Sequence, residues 1–350
     1  MGEHGRHTTI VEIQHLRALA VLLVVLAHIH QSDARFFSAP LLDQTAYFGF
    51  AGVDVFFVLS GFIIHHLYRG HAGFDLRYFL NRLNRILPLY WIFTALALAG
   101  YFAIGDSLTR SVGELDLIAS LTLIPAHQPP VLMVGWTLTH ELYFYAAYGV
   151  MLMLPVRYRV RAALAWAVAT AAYVAAPIAG GPWLALIFSP FNLLFLGGAL
   201  IAEFRSSLAG LRWPALVLAT GGAVLGLVWT HINGMDALAN GVERVGVFAP
   251  FAVGAAWAWL AWSPRLPGLA ARIGDWSYAI YLSHLLAIGV LARLLPGFVD
   301  GAIWSSPLFY AIALAACLML GALTHTLVEQ PLLKLGKAAI RRLVPAADRV

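Results

Sequence analysis

The chain has 350 residues, 61% of them hydrophobic and 11% charged, with a formal net charge of +5. So apolar a composition excludes a soluble domain and fits a polytopic helical membrane protein, an all-α bundle. The basic residues lie scattered between apolar runs, which excludes a nucleic-acid interface, and the single Cys317 excludes an intramolecular disulfide or a cysteine metal cluster.

The opening MGEHGRHTTIVEIQHLR is short and polar. The apolar run behind it ends in AHIHQSD without a small-residue cleavage site, so a retained helix is predicted rather than a signal peptide. Ten spans are predicted in chain order: 12–30, 47–68, 86–104, 137–154, 162–179, 184–202, 214–231, 245–262, 277–295 and 308–328. The apolar stretch at 114–126 is too short to cross and is predicted to be interfacial or re-entrant. Residues 1–330 thus form one membrane domain, 331–350 a short basic cytosolic tail, and no separate soluble domain is expected.

Charge sets the orientation. With the N-terminus inside, only Arg35, Arg110, Arg244 and Arg293 of the 22 lysines and arginines fall outside, a strong positive-inside bias. Counting 114–126 as a span would invert every later loop and destroy that asymmetry. Both termini are therefore predicted to be cytosolic. No inverted repeat or pair of matching broken helices marks a transporter.

Span one carries Arg17 and His28, separated by the ten apolar residues ALAVLLVVLA. Eleven helical steps return to within roughly 20° and advance about 16–17 Å, so both groups share one side of the helix, Arg17 inward and His28 outward. Ionisable groups placed so face a protein interior or a watery cavity, because lipid makes them costly. Asp54 and Glu141 fall in the outer thirds of spans two and four, at the predicted depth of His28. The inner loop between spans two and three offers Arg69, Arg77, Arg82 and Arg85. Arg82 and Arg85, three apart, share a helical face and suit phosphate, which guanidinium groups bind in two-point fashion. Span nine begins WSYAIYLSHLL, with Tyr278 and Tyr281 near the cytosolic face and His284 about two turns deeper. No metal site is predicted; His65 and His66 are adjacent and point apart on a helix.

At these residues the chain resembles the membrane acyltransferase-3 family. The segments IQHLRALAVLLVVLAHIH, GVDVFFVLSGFII, RLNRILPLYW, GWTLTHELYFY and WSYAIYLSHLL occur in family order and cover nearly the whole chain. IQHLRALA and VGWTLTHELYFYAAYG further resemble exopolysaccharide O-acetyltransferases of the succinoglycan type. The resemblance implies transfer of an acyl group, acetyl first among them, from acyl-CoA to a hydroxyl of a sugar. The acceptor would be an exported polysaccharide or its lipid-linked precursor, handled in the bacterial cytoplasmic membrane beside polysaccharide biosynthesis proteins. It maps the family's essential Arg and His onto Arg17 and His28. The family's Trp-Ser-Leu-x-x-Glu maps onto Trp136, Thr137, Leu138 and Glu141, with Thr137 keeping the hydroxyl.

Acyl transfer to a hydroxyl needs a base and donors for the developing oxyanion. His28 suits the base, since imidazole titrates near neutral pH; direct attack on the thioester and an acyl-His intermediate both remain open. Arg17 either orients a phosphate or carboxylate or anchors the helix by snorkelling. Asp54 either orients His28, binds acceptor hydroxyls or holds the bundle together; Glu141 either handles the acceptor or stabilises a helix start. Trp136 and Thr137 are expected at the substrate. Arg82 and Arg85 either bind CoA phosphates or meet anionic lipid. Tyr278, Tyr281 and His284 either line the donor channel or pack at the interface. Acyl-CoA is cytosolic while His28 lies outward, so either the pantetheine arm threads inward or the acyl group is handed across in two steps. Two other functions fit the composition: a transporter or flippase using Arg17, His28 and Asp54 as a relay, and a scaffold of an export assembly.

Overall fold

A computed structural model describes residues 11–71, 73, 76–104, 115–176, 178–264, 266–299 and 304–344. Arg6, Arg110, Arg265 and Arg349, used above for orientation, lie outside the described residues. The described chain is all-α. Helices α1 (Val11–Phe36), α2 (Ala51–Tyr68) and α3 (Leu76–Ile104) are followed by a six-residue α4 (Leu117–Thr122). Then come α5 (Gly135–Leu152), α6 (Val156–Ala175), α7 (Pro182–Ile187), α8 (Phe191–Glu203) and α9 (Arg205–Leu208). The chain continues through α10 (Arg212–Asn233), α11 (Gly241–Trp262), α12 (Gly268–Leu294), α13 (Pro296–Val299) and α14 (Ser305–Thr324). A π-helical turn, His325–Glu329, leads into α15 (Gln330–Leu343).

Among the described residues, eight helical stretches are long and apolar enough to cross a membrane. The protein is an integral, multi-pass bundle. Eight of the predicted spans coincide with these stretches. The other two, 137–154 and 162–179, correspond to α5 and α6, which are helical but more polar. Glu141 and His140 interrupt α5, while Arg157, Arg159 and Arg161 open α6. Among the described residues of the 114–126 segment, the helix is α4, too short to cross.

Helix α1 is the centre of the bundle. Leu16, Ala20, Val21, Val24, Ala27 and Ile29 are fully buried. Helix α12 runs parallel to it, with Gly274 against the Gln14 carbonyl at one end and His284 against His28 at the other. Helices α5 and α8 both run parallel to α2. Contacts at Phe57–Trp136, Ser60–Glu141 and His65–Tyr148 fix the first pair; Phe57–Phe195 and His65–Glu203 fix the second.

Helix association inside a bilayer rests on close van der Waals packing, which small residues permit. Gly61 and Gly198 serve α2 and α8 in this way: a Cβ at Gly61 would strike the Phe195 carbonyl, and one at Gly198 the Val58 carbonyl. Backbone cannot yield as a side-chain tip can, so Gly61→Ala is expected to cost at least about 1–3 kcal/mol. A melting point in detergent equal to wild type would refute this.

The segment expected as a basic tail is helical through Leu343 and docked on α3. Asn84 Nδ2 donates to the Leu333 carbonyl at 3.3 Å, a Cβ on Gly336 would strike Asn84, and Arg77 donates to the Val344 carbonyl. Residues 345–350 lie outside the described residues.

Candidate active site

Arg17 and His28 of α1 meet different surroundings. His28 packs edge-on against Phe50 at 4.7 Å and against His284 at 4.8 Å between ring centroids. Its Nδ1 lies 2.9 Å from the Val24 carbonyl and 3.3 Å from His284 Nε2. His284 Nδ1 lies 2.7 Å from the Tyr281 carbonyl. A carbonyl only accepts, so both Nδ1 atoms carry the proton in the neutral rings. His284 Nε2 is then an acceptor for His28 Nδ1–H. His28 Nε2 keeps its lone pair, and no hydrogen bond engages it among the described residues. That is the state a general base requires.

Below this pair lies a cavity of about 850 Å³. Val53 and Tyr68 both line it, so it follows α2 for about 22 Å at 1.5 Å per residue. Arg17, Ser60, Arg82, Arg85, Glu141 and Tyr281 are among its walls. His28 is not. The cavity ends where Tyr281 OH donates to Thr137 Oγ1 at 2.9 Å, Thr137 having given its own proton to the Val134 carbonyl. The Tyr281 ring is 5.7 Å from that of His284. His284, expected in the donor channel, therefore belongs to the His28 pair, and Tyr281 stands between pair and channel.

His28, Asp54 and Glu141, predicted at one depth, do not come together. Asp54 is fully buried and pairs with Arg244, whose Nη2 and Nε lie 2.8 and 3.2 Å from Asp54 Oδ2. Arg244 also donates to the Phe50 carbonyl at 3.1 Å and lies over the rings of Trp136 and Phe191. Asp54 thus reaches His28 only through the turn that carries Phe50. Glu141 sits beside Ser60, six residues and about 9 Å further along α2 than Asp54. It accepts from Ser60 Oγ at 3.0 Å and from the Tyr145 hydroxyl. Trp136 and Thr137 part company. Thr137 lines the inner cavity, whereas Trp136 lines a separate cavity of about 330 Å³ with His127 and His140.

The arginines also separate. Arg85 is neutralised by buried Glu329 at 2.5 Å and lies over the Tyr278 ring. Tyr278 OH donates to the Ile86 carbonyl at 2.7 Å, tying α12 to α3 while its side chain lines the cavity. Arg82 lies over the rings of Tyr68 and Tyr145 and has no carboxylate within ion-pair distance among the described residues. Among the described residues, Arg17 hydrogen-bonds to Gln14 Oε1, at 3.5 Å. Glu329, Glu141 and Asp275 attract it at longer range, and Arg85 repels it. Among the described residues, no group of three or more His, Cys, Asp or Glu is arranged to hold a metal ion.

Sequence reading missed Arg244, Glu329 and Tyr145. Arg244 resembled an ordinary flank charge because it sits in the first turn of α11. Glu329 carried a usable signal: a carboxylate closing an apolar run needs a partner.

Fold and cavity together define a multi-pass membrane protein with a cationic interior leading to a histidine pair. Residues 10–326 match the model of the acyltransferase-3 family, described as an acyltransferase domain, and the chain belongs to that family. It is a membrane acyltransferase. It is 32% identical to the exopolysaccharide production protein ExoZ of Rhizobium meliloti, over 83% of this chain and 91% of that one. It is 27% identical to the acyltransferase MdmB of Streptomyces mycarofaciens, over 91% and 90%. With nodulation protein 10 of Rhizobium leguminosarum bv. viciae it shares 26% identity over 86% of each chain. No solved structure matches it.

Proposed function

We propose that this protein transfers an acetyl group from acetyl-CoA to a hydroxyl of an exported polysaccharide or its lipid-linked precursor, in the bacterial cytoplasmic membrane and beside polysaccharide biosynthesis proteins. The acceptor class rests on the likeness to an exopolysaccharide production protein and a nodulation protein. The transport and scaffold readings are not carried further, because the family is one of enzymes.

The topology in this reading has ten spans and cytosolic termini. The parallel packing of α5 along α2 supports it, since α5 then covers the depth from Phe57 to His65 and α6 must return. The Arg-rich end of the cavity is then cytosolic and His28 lies outward.

The observation that carries the mechanism is the single cavity that leads from Arg82 to Tyr281, at the foot of the His28–His284 pair. Acetyl-CoA enters from the cytosol, its phosphates meet Arg82 and Arg17, and its pantetheine arm lies along α2. The Tyr281 ring swings aside to admit the thioester. His28 Nε2 takes the acceptor hydroxyl proton while the oxygen attacks the thioester carbonyl. The tetrahedral intermediate expels the CoA thiolate, and the imidazolium returns the proton to sulfur. The products are the O-acetyl ester and CoA thiol.

The test is CoA release by purified protein given acetyl-CoA and glycan, with mass spectrometry of the glycan. Release without ester formation, or neither, sinks the reading. Arg82→Gln is expected to raise the KM for acetyl-CoA about tenfold, the effect of one lost charge-assisted hydrogen bond. An unchanged KM removes Arg82 from the donor site.

A further inference from the structure

Helix α15 does more than dock. Gln330, Leu333, Lys337, Ile340 and Arg341 all line the inner cavity. Their spacing of three and four residues puts them on one helical face, turned toward α3. Asn84 and Arg77 of α3 hold α15 at both ends, through the Leu333 and Val344 carbonyls. Helix α3 enters the bundle from its Arg77 end, so Arg77 lies at the rim and Arg85 about 12 Å deeper. Helix α15 runs the other way: Gln330 follows buried Glu329 at depth, and Arg341 reaches the rim.

The cavity therefore has two tiers of cations. Arg17, Arg82 and Arg85 form the deep tier; Arg341 joins Arg77 at the rim, and Lys337, next to the Gly336 that faces Asn84, stands one helical turn below Arg341. The carboxylates in or beside it, Glu141, Asp275 and Glu329, lie with the deep tier. Neither Lys337 nor Arg341 has a carboxylate within ion-pair distance among the described residues, and both are exposed.

Resting on the proposed acetyl-CoA reading, we propose that Lys337 and Arg341 bind the 3′-phosphate on the ribose of CoA. The order of groups along the donor sets this choice. With the thioester at Tyr281 and the pantetheine arm along α2, the diphosphate arrives at Arg82. The 3′-phosphorylated adenosine is left to reach the rim, and the phosphate is its one charged group. A phosphate there gains charge-assisted hydrogen bonds from both side chains. The other source of the same chemistry is an anionic lipid headgroup, since a basic amphipathic helix at a membrane surface attracts it.

The experiment is calorimetric titration of the full protein in nanodiscs with CoA and with 3′-dephospho-CoA, in phosphatidylcholine alone and with phosphatidylglycerol added. Wild type is expected to bind CoA about tenfold tighter than 3′-dephospho-CoA in either lipid, since two charge-assisted contacts from exposed side chains are each worth less than one made in the buried tier. Lys337→Gln with Arg341→Gln is expected to bring the two affinities together, and Lys337→Arg with Arg341→Lys to restore most of the gap. Equal affinities in wild type, or an undiminished gap in the double variant, overturn the proposal. A gap that appears only without phosphatidylglycerol assigns the pair to lipid and also overturns it. If the double variant does not assemble, each single variant is expected to narrow the gap about threefold, half the logarithmic effect; no narrowing in either overturns the proposal. Failure of wild type to bind either form would instead refute the acetyl-CoA reading.

Discussion

Replacing His28 with alanine is expected to lower kcat by about 10²–10⁴-fold, the usual contribution of a positioned general base. The variant should still assemble, because the ring makes no ion pair among the described residues: it hydrogen-bonds Val24 of its own helix and His284, and packs on Phe50. The loss should fall on kcat with little change in KM for acetyl-CoA, since the donor phosphates bind at the far end of the cavity. His284→Ala tests the positioning half of the argument. It removes the acceptor that directs His28 Nδ1–H, yet leaves the Val24 carbonyl to hold the same tautomer. A loss about tenfold or less is expected, well below the range for the base itself, together with a shifted pH–rate profile. Full activity in His28→Ala would remove the base from the mechanism. An equally large loss in both variants, with an unmoved pH–rate profile for the residual activity of His284→Ala, would mean that the two rings act only as packing.

Asp54→Ala is expected to destabilise the protein by about 3–5 kcal/mol, because it leaves the Arg244 guanidinium buried without its counter-charge. Loss of monodisperse protein in detergent, or a large fall in melting temperature, is the readout. Replacing both partners, with Asp54→Ala and Arg244→Leu, should recover most of that loss, because a removed pair strands no charge. Asp54→Ala with a wild-type melting point and no activity would reverse the conclusion and return Asp54 to the chemistry. The size of the effect follows from position. Arg244 ties the Phe50 carbonyl, Asp54 and the Trp136 ring together, so three elements lose their join at once.

Each of the sequence motifs proved to be a set of separate tasks. In the Trp-Thr-Leu segment of α5, successive residues face two cavities: Trp136 the smaller one and Thr137 the larger. A helix turns about 100° per residue, so successive residues of a motif can face different cavities, while residues three or four apart share a face. Arg82 and Arg85 meet that spacing and both line the cavity, yet Glu329 neutralises one and leaves the other to aromatic rings. The spacing was legible; the partner was not.

The sequence by itself determined the membrane class, the helices, the brevity of segment 114–126 and the shared side of Arg17 and His28. All of these depend on local quantities: apolar run length, helical period and charge beside a span. Only the tertiary structure decided the pairings. Asp54 with Arg244 lies across 190 residues, Arg85 with Glu329 across 244, and His28 with His284 across 256. Which side chain meets which depends on the register and crossing of helices far apart in the chain. A bilayer favours any partner over none for each buried polar group, so composition says that a partner exists without saying which.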